Sequence, residues 1–385
     1  MREAAQSAGP TILGIESSCD ESAAAVVRAG RDLLSNAVFS QVATHLEYGG
    51  VVPELASREH LRAIAPIVRR ALADAHLAYN DLDAIAVTQG PGLAGALLVG
   101  ITFAKALAYA LGKPLIAVNH IEGHIHAVLM ERAAAGAPPP FPLLALVVSG
   151  GHTHLFRVDR RALDNDPLAY TYELLGRTLD DAAGEAFDKV AKLLGLPYPG
   201  GPVIDALAKF GNPHAVPFAA SQIKQKIYRD QRQDARLIHF SFSGIKTAVL
   251  RYIEVNKMAE SIAQRRAALA NTSPATITPQ AMHCDPHTID LIASFQHTVV
   301  SDLLRKTERA LESCDAASIV VTGGVAANSE LRRRFVERFA DEVHFPSRLL
   351  STDNAAMIAA AAYPRFLRSE FADPHFSADP NLSLA

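Results

Sequence analysis

The chain has 385 residues and a mass of 41.2 kDa, a length that suits two or three domains of about 150 residues each. Hydrophobic residues make up 49 % and charged residues 20 %, which excludes a disordered or fibrous chain. Acidic residues number 40 against 37 basic ones, with a pI near 6.6, so a nucleic acid would have to be met by a local patch rather than by the global field.

Residues 1–10, MREAAQSAGP, lack the apolar run of a secretory signal and read as a flexible leader. From Thr11, TILGIESSCDES is the first of four apolar runs that stop abruptly at small or hydroxylated residues. The others begin at Ala84 (AIAVTQGPGLAGA), Leu143 (LLALVVSGGHTHL) and Ser318 (SIVVTGGVAANSELRR). Each reads as a buried strand entering a tight turn. Helical patterns intervene, from Leu61 (LRAIAPIVRRALADA) and from Ile289 to Leu311, so the class is α/β.

The stretch from Leu93 to Gly112 approaches the length of a membrane span. Lys105 and three glycines within it argue instead for a core helix packed closely on a sheet. The Pro-rich segment Ala133 to Pro142 is the best linker, because proline breaks both helix and strand. Two zones without a clean period, 211–236 and 259–284, read as surface insertions. The first carries Lys224, Lys226, Arg229, Arg232 and Arg236 against Asp230 and Asp234, which is either a solvated face or a contact for phosphates. The three cysteines, Cys19, Cys284 and Cys314, are far apart and form no C-x-x-C pair, which disfavours disulfides and thiolate zinc and favours a reducing compartment.

Within VNHIEGHIHA, His120 and His124 are four apart and share a helical face, as two ligands of one metal require. Glu122 follows His120 by two positions and points about 200° round the helix from it, so the H-E-x-x-H arrangement of a metallopeptidase is absent; His126 reads as structural or as a support. Three glycine turns, at Ser149-Gly150-Gly151, Tyr198-Pro199-Gly200-Gly201 and Thr322-Gly323-Gly324, leave backbone amides free to meet phosphate. None matches a P-loop or a G-x-G-x-x-G fingerprint. Asp180 and Asp181 read as caps of the helix that follows them. Asp188 reads either as a surface charge or as a group facing a cleft. Thr352 or Asp353 reads as the N-cap of the last, Ala-rich helix, with a ligand role for Asp353 as the other reading.

Taken in order, GIESSCDES, GGVVPELASREH, QGPGLAGALLVG, NHIEGHIHA, VVSGGHTHL, DDAAGEAFDKVAKLLGLPYPGGP, FSFSGIKTA, GGVAANSELR and STDNAAMIA make the chain resemble, from Ile12 to about Arg365, the bacterial tRNA adenosine threonylcarbamoyltransferases, a universal family once called glycoproteases. The resemblance implies a two-lobed actin-like, sugar-kinase-like α/β fold, each lobe a mixed sheet of ribonuclease-H type flanked by helices, with the active site in the inter-lobe cleft. It sets an N-terminal lobe at 11–135, joined by 355–385, and a C-terminal lobe at 141–354.

The same resemblance makes His120, His124 and Asp353 ligands of one divalent metal ion, Fe(2+) or else Zn(2+). It makes Val147, Val148, Ser149, Gly150, Gly151, Asp188, Gly201, Asp205 and Asn328 the binding positions for L-threonylcarbamoyladenylate. The implied reaction moves the threonylcarbamoyl group to N6 of adenosine 37 in tRNAs reading ANN codons and releases AMP. No general base is assignable. The implied partners are tRNA, a catalytically inactive paralogue, a small P-loop ATPase and a separate synthase of the adenylate, in the cytoplasm and away from any membrane. A non-catalytic ATP-binding scaffold, a metallopeptidase and a sugar kinase are the rival readings. A plain ATP scaffold has no need of His120 and His124.

Overall fold

The structure is a computed structural model that describes residues 9–160, 168–218, 237–270 and 276–385. The five cations of the first insertion, Lys224 to Arg236, lie outside the described residues. Contacts divide the chain into two compact units. Unit 1 comprises Met1–Pro140, Asp159–Tyr172 and Pro346–Ala385, and unit 2 comprises Phe141–Val158 and Glu173–Phe345. The first crossing falls in the Pro-rich segment. The return to unit 1 comes at Pro346, ahead of residue 355, because the Glu131 carboxylate accepts the Ser347 N–H and Leu350 packs in the unit 1 core.

Unit 1 is built on strands β1 (Thr11–Glu16), β2 (Glu21–Arg28), β3 (Asp32–Ser40), β4 (Ala84–Gly90) and β5 (Leu115–Asn119), ordered β3-β2-β1-β4-β5. β1 runs antiparallel to β2 and parallel to β4, which is parallel to β5. Unit 2 repeats the plan with β6 (Leu143–Val148), β7 (Thr153–Arg160), β8 (Tyr170–Arg177), β9 (Ser318–Thr322) and β10 (Val343–His344), ordered β8-β7-β6-β9-β10. Again the first strand is antiparallel to the second and parallel to the fourth. This duplicated ribonuclease-H-type order is the fold class read from the sequence. The four apolar runs that end in small residues are β1, β4, β6 and β9, the parallel centre of each sheet. Central strands are covered on both faces, so they read as continuous apolar runs.

In unit 1, helix α1 (Pro53–Asp74) and helix α2 (Ala94–Leu111) cover one face of the sheet, and helix α3 (His120–Ala134) and the last helix, Ala355–Leu367, lie on the other. α2 is the one described helix long and apolar enough to cross a membrane. Only its inner side matches the expected core helix. Leu97, Ile101, Ala104 and Ala108 are buried, and a Cβ at Gly100 would lie 2.2 Å from Ser17 Oγ. Leu98 and Tyr109 stand exposed on the other side among the described residues.

Residues 372–382 run across the ends of β4 and β5 through surface hydrogen bonds. Ala372 N donates to Leu115 O (2.8 Å), Asp379 N to Gln89 O (3.0 Å) and Gly92 N to Pro380 O (3.2 Å), and the Asn119 amide donates to Leu382 O (3.3 Å).

The second zone read as an insertion is corrected. It holds a helix, Ala259–Leu269, whose Arg265 is wholly buried and donates to His283 O, Leu194 O and Thr288 Oγ1. Its alanines and a buried arginine hide the period that marks an amphipathic helix. The first zone also begins packed: Asn212 N donates to Asp290 Oδ1 and Val216 N to Ser294 Oγ on the long helix Pro286–Cys314.

Candidate functional site

Parallel strands deliver their following residues to one edge of the sheet, and α/β proteins bind ligands there. In unit 1 that edge carries Glu16 at the end of β1, Thr88 near the end of β4, and Asn119 at the end of β5. Asn119 caps α3, its Oδ1 accepting the N–H groups of Ile121 and Glu122. The cap starts α3 at His120, so His120 and His124 lie one turn apart with ring centroids 4.7 Å apart and planes at 80°.

Asp353 faces both rings: its Oδ1 lies 3.3 Å from His124 Nε2 and 3.7 Å from His120 Nε2. The expectation that Thr352 or Asp353 caps the last helix is corrected, because Asn354 does so through the Met357 N–H. That leaves the Asp353 carboxylate to the histidines.

The donor set fits a metal. Bonds of about 2.0–2.2 Å put two ligand atoms of one ion about 3.0–3.4 Å apart at tetrahedral or square angles, close to the separations seen. All three donor atoms lie within 4.8 Å of one another, and both imidazoles are buried. Two nitrogens and one oxygen suit iron or zinc rather than magnesium or calcium.

Three neighbours of this group were not singled out from the sequence. Glu16 is buried, and its Oε2 accepts from His120 Nδ1 at 3.1 Å and from Thr88 Oγ1 at 2.6 Å, while Oε1 accepts from Ser18 N. Ser18 Oγ also lies 3.2 Å from His120 Nδ1. Burial disfavours the His120 cation, but the Asp353 and Glu16 carboxylates outweigh it and raise the imidazole to about 9. Burial likewise pushes Glu16 up, and His120 more than reverses this, holding the carboxyl below its ordinary range. An acidic residue closing a wholly buried strand was the available signal.

Glu122 and His126 point elsewhere, as their spacing predicts. Glu122 pairs with Arg365 (2.6 Å) and accepts from Tyr172 OH, which also meets His126 Nε2 at 3.1 Å. Burial pulls His126 down to about 3.

The unit 2 edge carries the glycine turns. The Ser149 turn follows β6 and the Gly323 turn follows β9, neighbouring parallel strands with Val147 opposite Thr322. Ser149 N donates to His152 O, and Ser149 O accepts from Gly184 N, which closes the turn. Val147 and Val148 are wholly buried in β6 and deliver this turn.

The glycines fall into two groups. A Cβ at Gly323, where φ is +92°, would lie 2.4 Å from Val148 O; at Gly184 it would lie 2.6 Å from Ser149 O; at Gly200 it would meet Phe187 O at 2.8 Å. These are glycine because the protein itself is in the way. At Gly150, Gly151, Gly201 and Gly324 a Cβ would meet nothing among the described residues within 4 Å, so their packing does not require glycine there.

Asp188 Oδ1 accepts from Gly200 N at 2.7 Å and ties the helix Ala183–Leu193 to the next helix, Gly200–Ala208. Asp205 Oδ1 accepts from Ser329 N (3.1 Å), Ser329 Oγ (2.8 Å) and Gln296 Nε2 (3.4 Å). Its other oxygen has no partner among the described residues. Asn328 caps the helix Ser329–Phe339 through Leu331 N and donates to Gln296 Oε1 at 2.8 Å. Gln296, missed from the sequence because it sits mid-helix, joins Asp205 and Asn328. Asp180 and Asp181 do not cap their own helix. Asp180 accepts from Phe242 N and Ser243 N at the start of Ser243–Val255, and Asp181 pairs with Lys189 (2.6 Å) and Lys246 (3.1 Å).

A family profile described as tRNA N6-adenosine threonylcarbamoyltransferase matches residues 32–360. The chain is 59 % identical over 386 residues to a protein of that name from Koribacter versatilis, spanning 98 % of this chain and 100 % of the relative. It is 50 % identical over 351 residues to a namesake from Geotalea uraniireducens, spanning 90 % and 89 %. Among solved structures, HypF of T. kodakarensis is similar with a TM-score of 0.50 and 14 % identity, over 94 % of this chain and 48 % of that one; the likeness is one of fold alone.

Proposed function

The chain belongs to the family of tRNA N6-adenosine threonylcarbamoyltransferases, and from that premise we propose that it takes the threonylcarbamoyl group from L-threonylcarbamoyladenylate and joins it to N6 of adenosine 37 in tRNAs reading ANN codons. The N6 nitrogen forms a bond to the carbamoyl carbon, the bond from that carbon to the phosphate oxygen breaks, and AMP leaves with the electron pair. The amine gives up one proton, which ends in solvent.

His120, His124 and Asp353 would hold one divalent ion, Fe(2+) first and Zn(2+) second. Such an ion supplies Lewis acidity to a carbonyl or phosphate oxygen. The Gly150 and Gly151 amides, which make no hydrogen bond among the described residues, would donate to the phosphate. The unpartnered oxygen of Asp205 would accept from a ribose or threonine hydroxyl. Asn328 would contribute what remains of its amide after capping. Adenine N6 is a weak nucleophile, so most of the rate must come from such positioning and from stabilising charge on the leaving phosphate.

The observation that carries this reading is the set of four open glycines on the unit that also carries Asp205 and Asn328, with a metal-competent group on the same chain. A metallopeptidase is disfavoured because Glu122 is committed to Arg365 and Tyr172. The partners would be tRNA, an inactive paralogue and a small P-loop ATPase. We assign the protein to the cytoplasm, where tRNA is found and where three free cysteines persist. The test is to incubate the metal-loaded chain and both partner proteins with adenylate and unmodified tRNA and to look for threonylcarbamoyladenosine by mass spectrometry. Absence of that nucleoside, with the partners shown to be bound, refutes the assignment.

A further inference from the structure

Glu16 is 1 % exposed at the end of the central strand of unit 1, a place where an ionised carboxylate is retained only if its oxygens are satisfied. Three donors converge on it: Ser18 N, Thr88 Oγ1 and His120 Nδ1. An ionised carboxylate only accepts, so its contact with Nδ1 requires that nitrogen to carry a proton. When the ring acts as a metal ligand, and so has lost its second proton, its lone pair is on Nε2, the atom that faces Asp353. Ser18 Oγ, at 3.2 Å from the same Nδ1, cannot make this choice, because a hydroxyl both donates and accepts.

We propose that Glu16 is a positioning residue that holds His120 as the Nδ1–H tautomer and aims Nε2 as the ligating atom. The inference rests on the metal-binding reading of His120, His124 and Asp353. Thr88 and the Ser18 amide hold the carboxylate in turn, so the orientation of one imidazole is fixed from the ends of two neighbouring strands. Supports of this kind raise metal affinity by about 10–100-fold in other sites.

The experiment uses the full chain and zinc as a diamagnetic probe. Glu16→Gln keeps the shape but offers His120 a donor as well as an acceptor. Zinc affinity, measured by competition with a chromophoric chelator, should fall by about 10–100-fold, and nitrogen-15 spectra should show that His120 no longer holds a single Nδ1–H tautomer. Thr88→Val removes one support of the carboxylate and should weaken zinc by a smaller factor. It decides the matter if Glu16→Gln does not fold, since wild-type affinity and tautomer in Thr88→Val would then overturn the proposal. Wild-type zinc affinity and tautomer in a folded Glu16→Gln protein overturn it directly. If the unaltered chain binds no zinc, the metal reading falls and this inference with it; if the unaltered chain and Glu16→Gln bind equally well, only the role of Glu16 falls.

Discussion

Two glycines in turns that follow the neighbouring parallel strands β6 and β9 make opposite predictions. Gly323 has φ 92° and ψ 168°, a region open almost only to glycine, and occupying it with another residue costs about 1–3 kcal/mol. A Cβ there would also lie 2.4 Å from Val148 O, so Gly323→Ala should cost about 3 kcal/mol in all. For a cooperative unit of about 200 residues this corresponds to a fall in Tm of about 6–12 °C. Gly150 is exposed, has ordinary φ, and would place a Cβ in open space. Gly150→Val should therefore move Tm by no more than about 2 °C.

Ligand binding should separate the two further. If the Gly150 and Gly151 amides meet the phosphate, the valine side chain occupies the space that the ligand needs. Losing one hydrogen bond to a charged group, at about 1.5–3 kcal/mol, weakens binding by about 10–150-fold. Differential scanning fluorimetry gives the first quantity, and calorimetric titration with AMP or a stable analogue of the adenylate gives the second. A Gly150→Val protein that melts many degrees lower while binding AMP like the unaltered chain would refute the reasoning, because the turn would then be structural.

Replacing His124 or Asp353 with alanine should remove bound metal, read by elemental analysis after gel filtration, and abolish transfer while leaving the circular dichroism unchanged; stoichiometric metal in either variant contradicts the ligand assignment. At Gly90 a Cβ would lie 1.8 Å from Asp379 O and 3.1 Å from Leu382 Cβ, so Gly90→Ala should lift residues 372–382 and expose them to proteolysis, and an unchanged cleavage pattern would show that the strap yields in another way. Burial, with a contribution from Arg177, lowers His154 to about 4 from 6.5. Its neutral form is favoured in the folded state, so this stability is full above pH 6.5 and is lost as pH falls from 6.5 to about 4, amounting to at most about 3 kcal/mol. Urea titrations across that range should be flatter by about one proton in His154→Gln, and identical slopes count against it.

The sequence by itself carried the parallel centre of each sheet, because strands covered on both faces must be apolar along their whole length, and it carried the turns that end them, because glycine and hydroxylated residues break such runs. It also carried the H-x-x-x-H pair, since four residues make one helical turn wherever the helix lies. Local spacing could not say that Asp353 rather than Asn354 faces the histidines, a choice that only the family resemblance supplied, because either residue can cap a helix and the packing of the last helix on the sheet selects one. Nor could it separate Gly323 from Gly150, which look alike in a glycine turn and differ only in whether another strand's carbonyl stands where a side chain would go. Glu16, Gln296 and the strap over Asn119 were hidden for the same reason: each acts on residues from 32 to 263 positions away, and contacts of that separation are decided by how the sheets bring strand ends together, which no local spacing records.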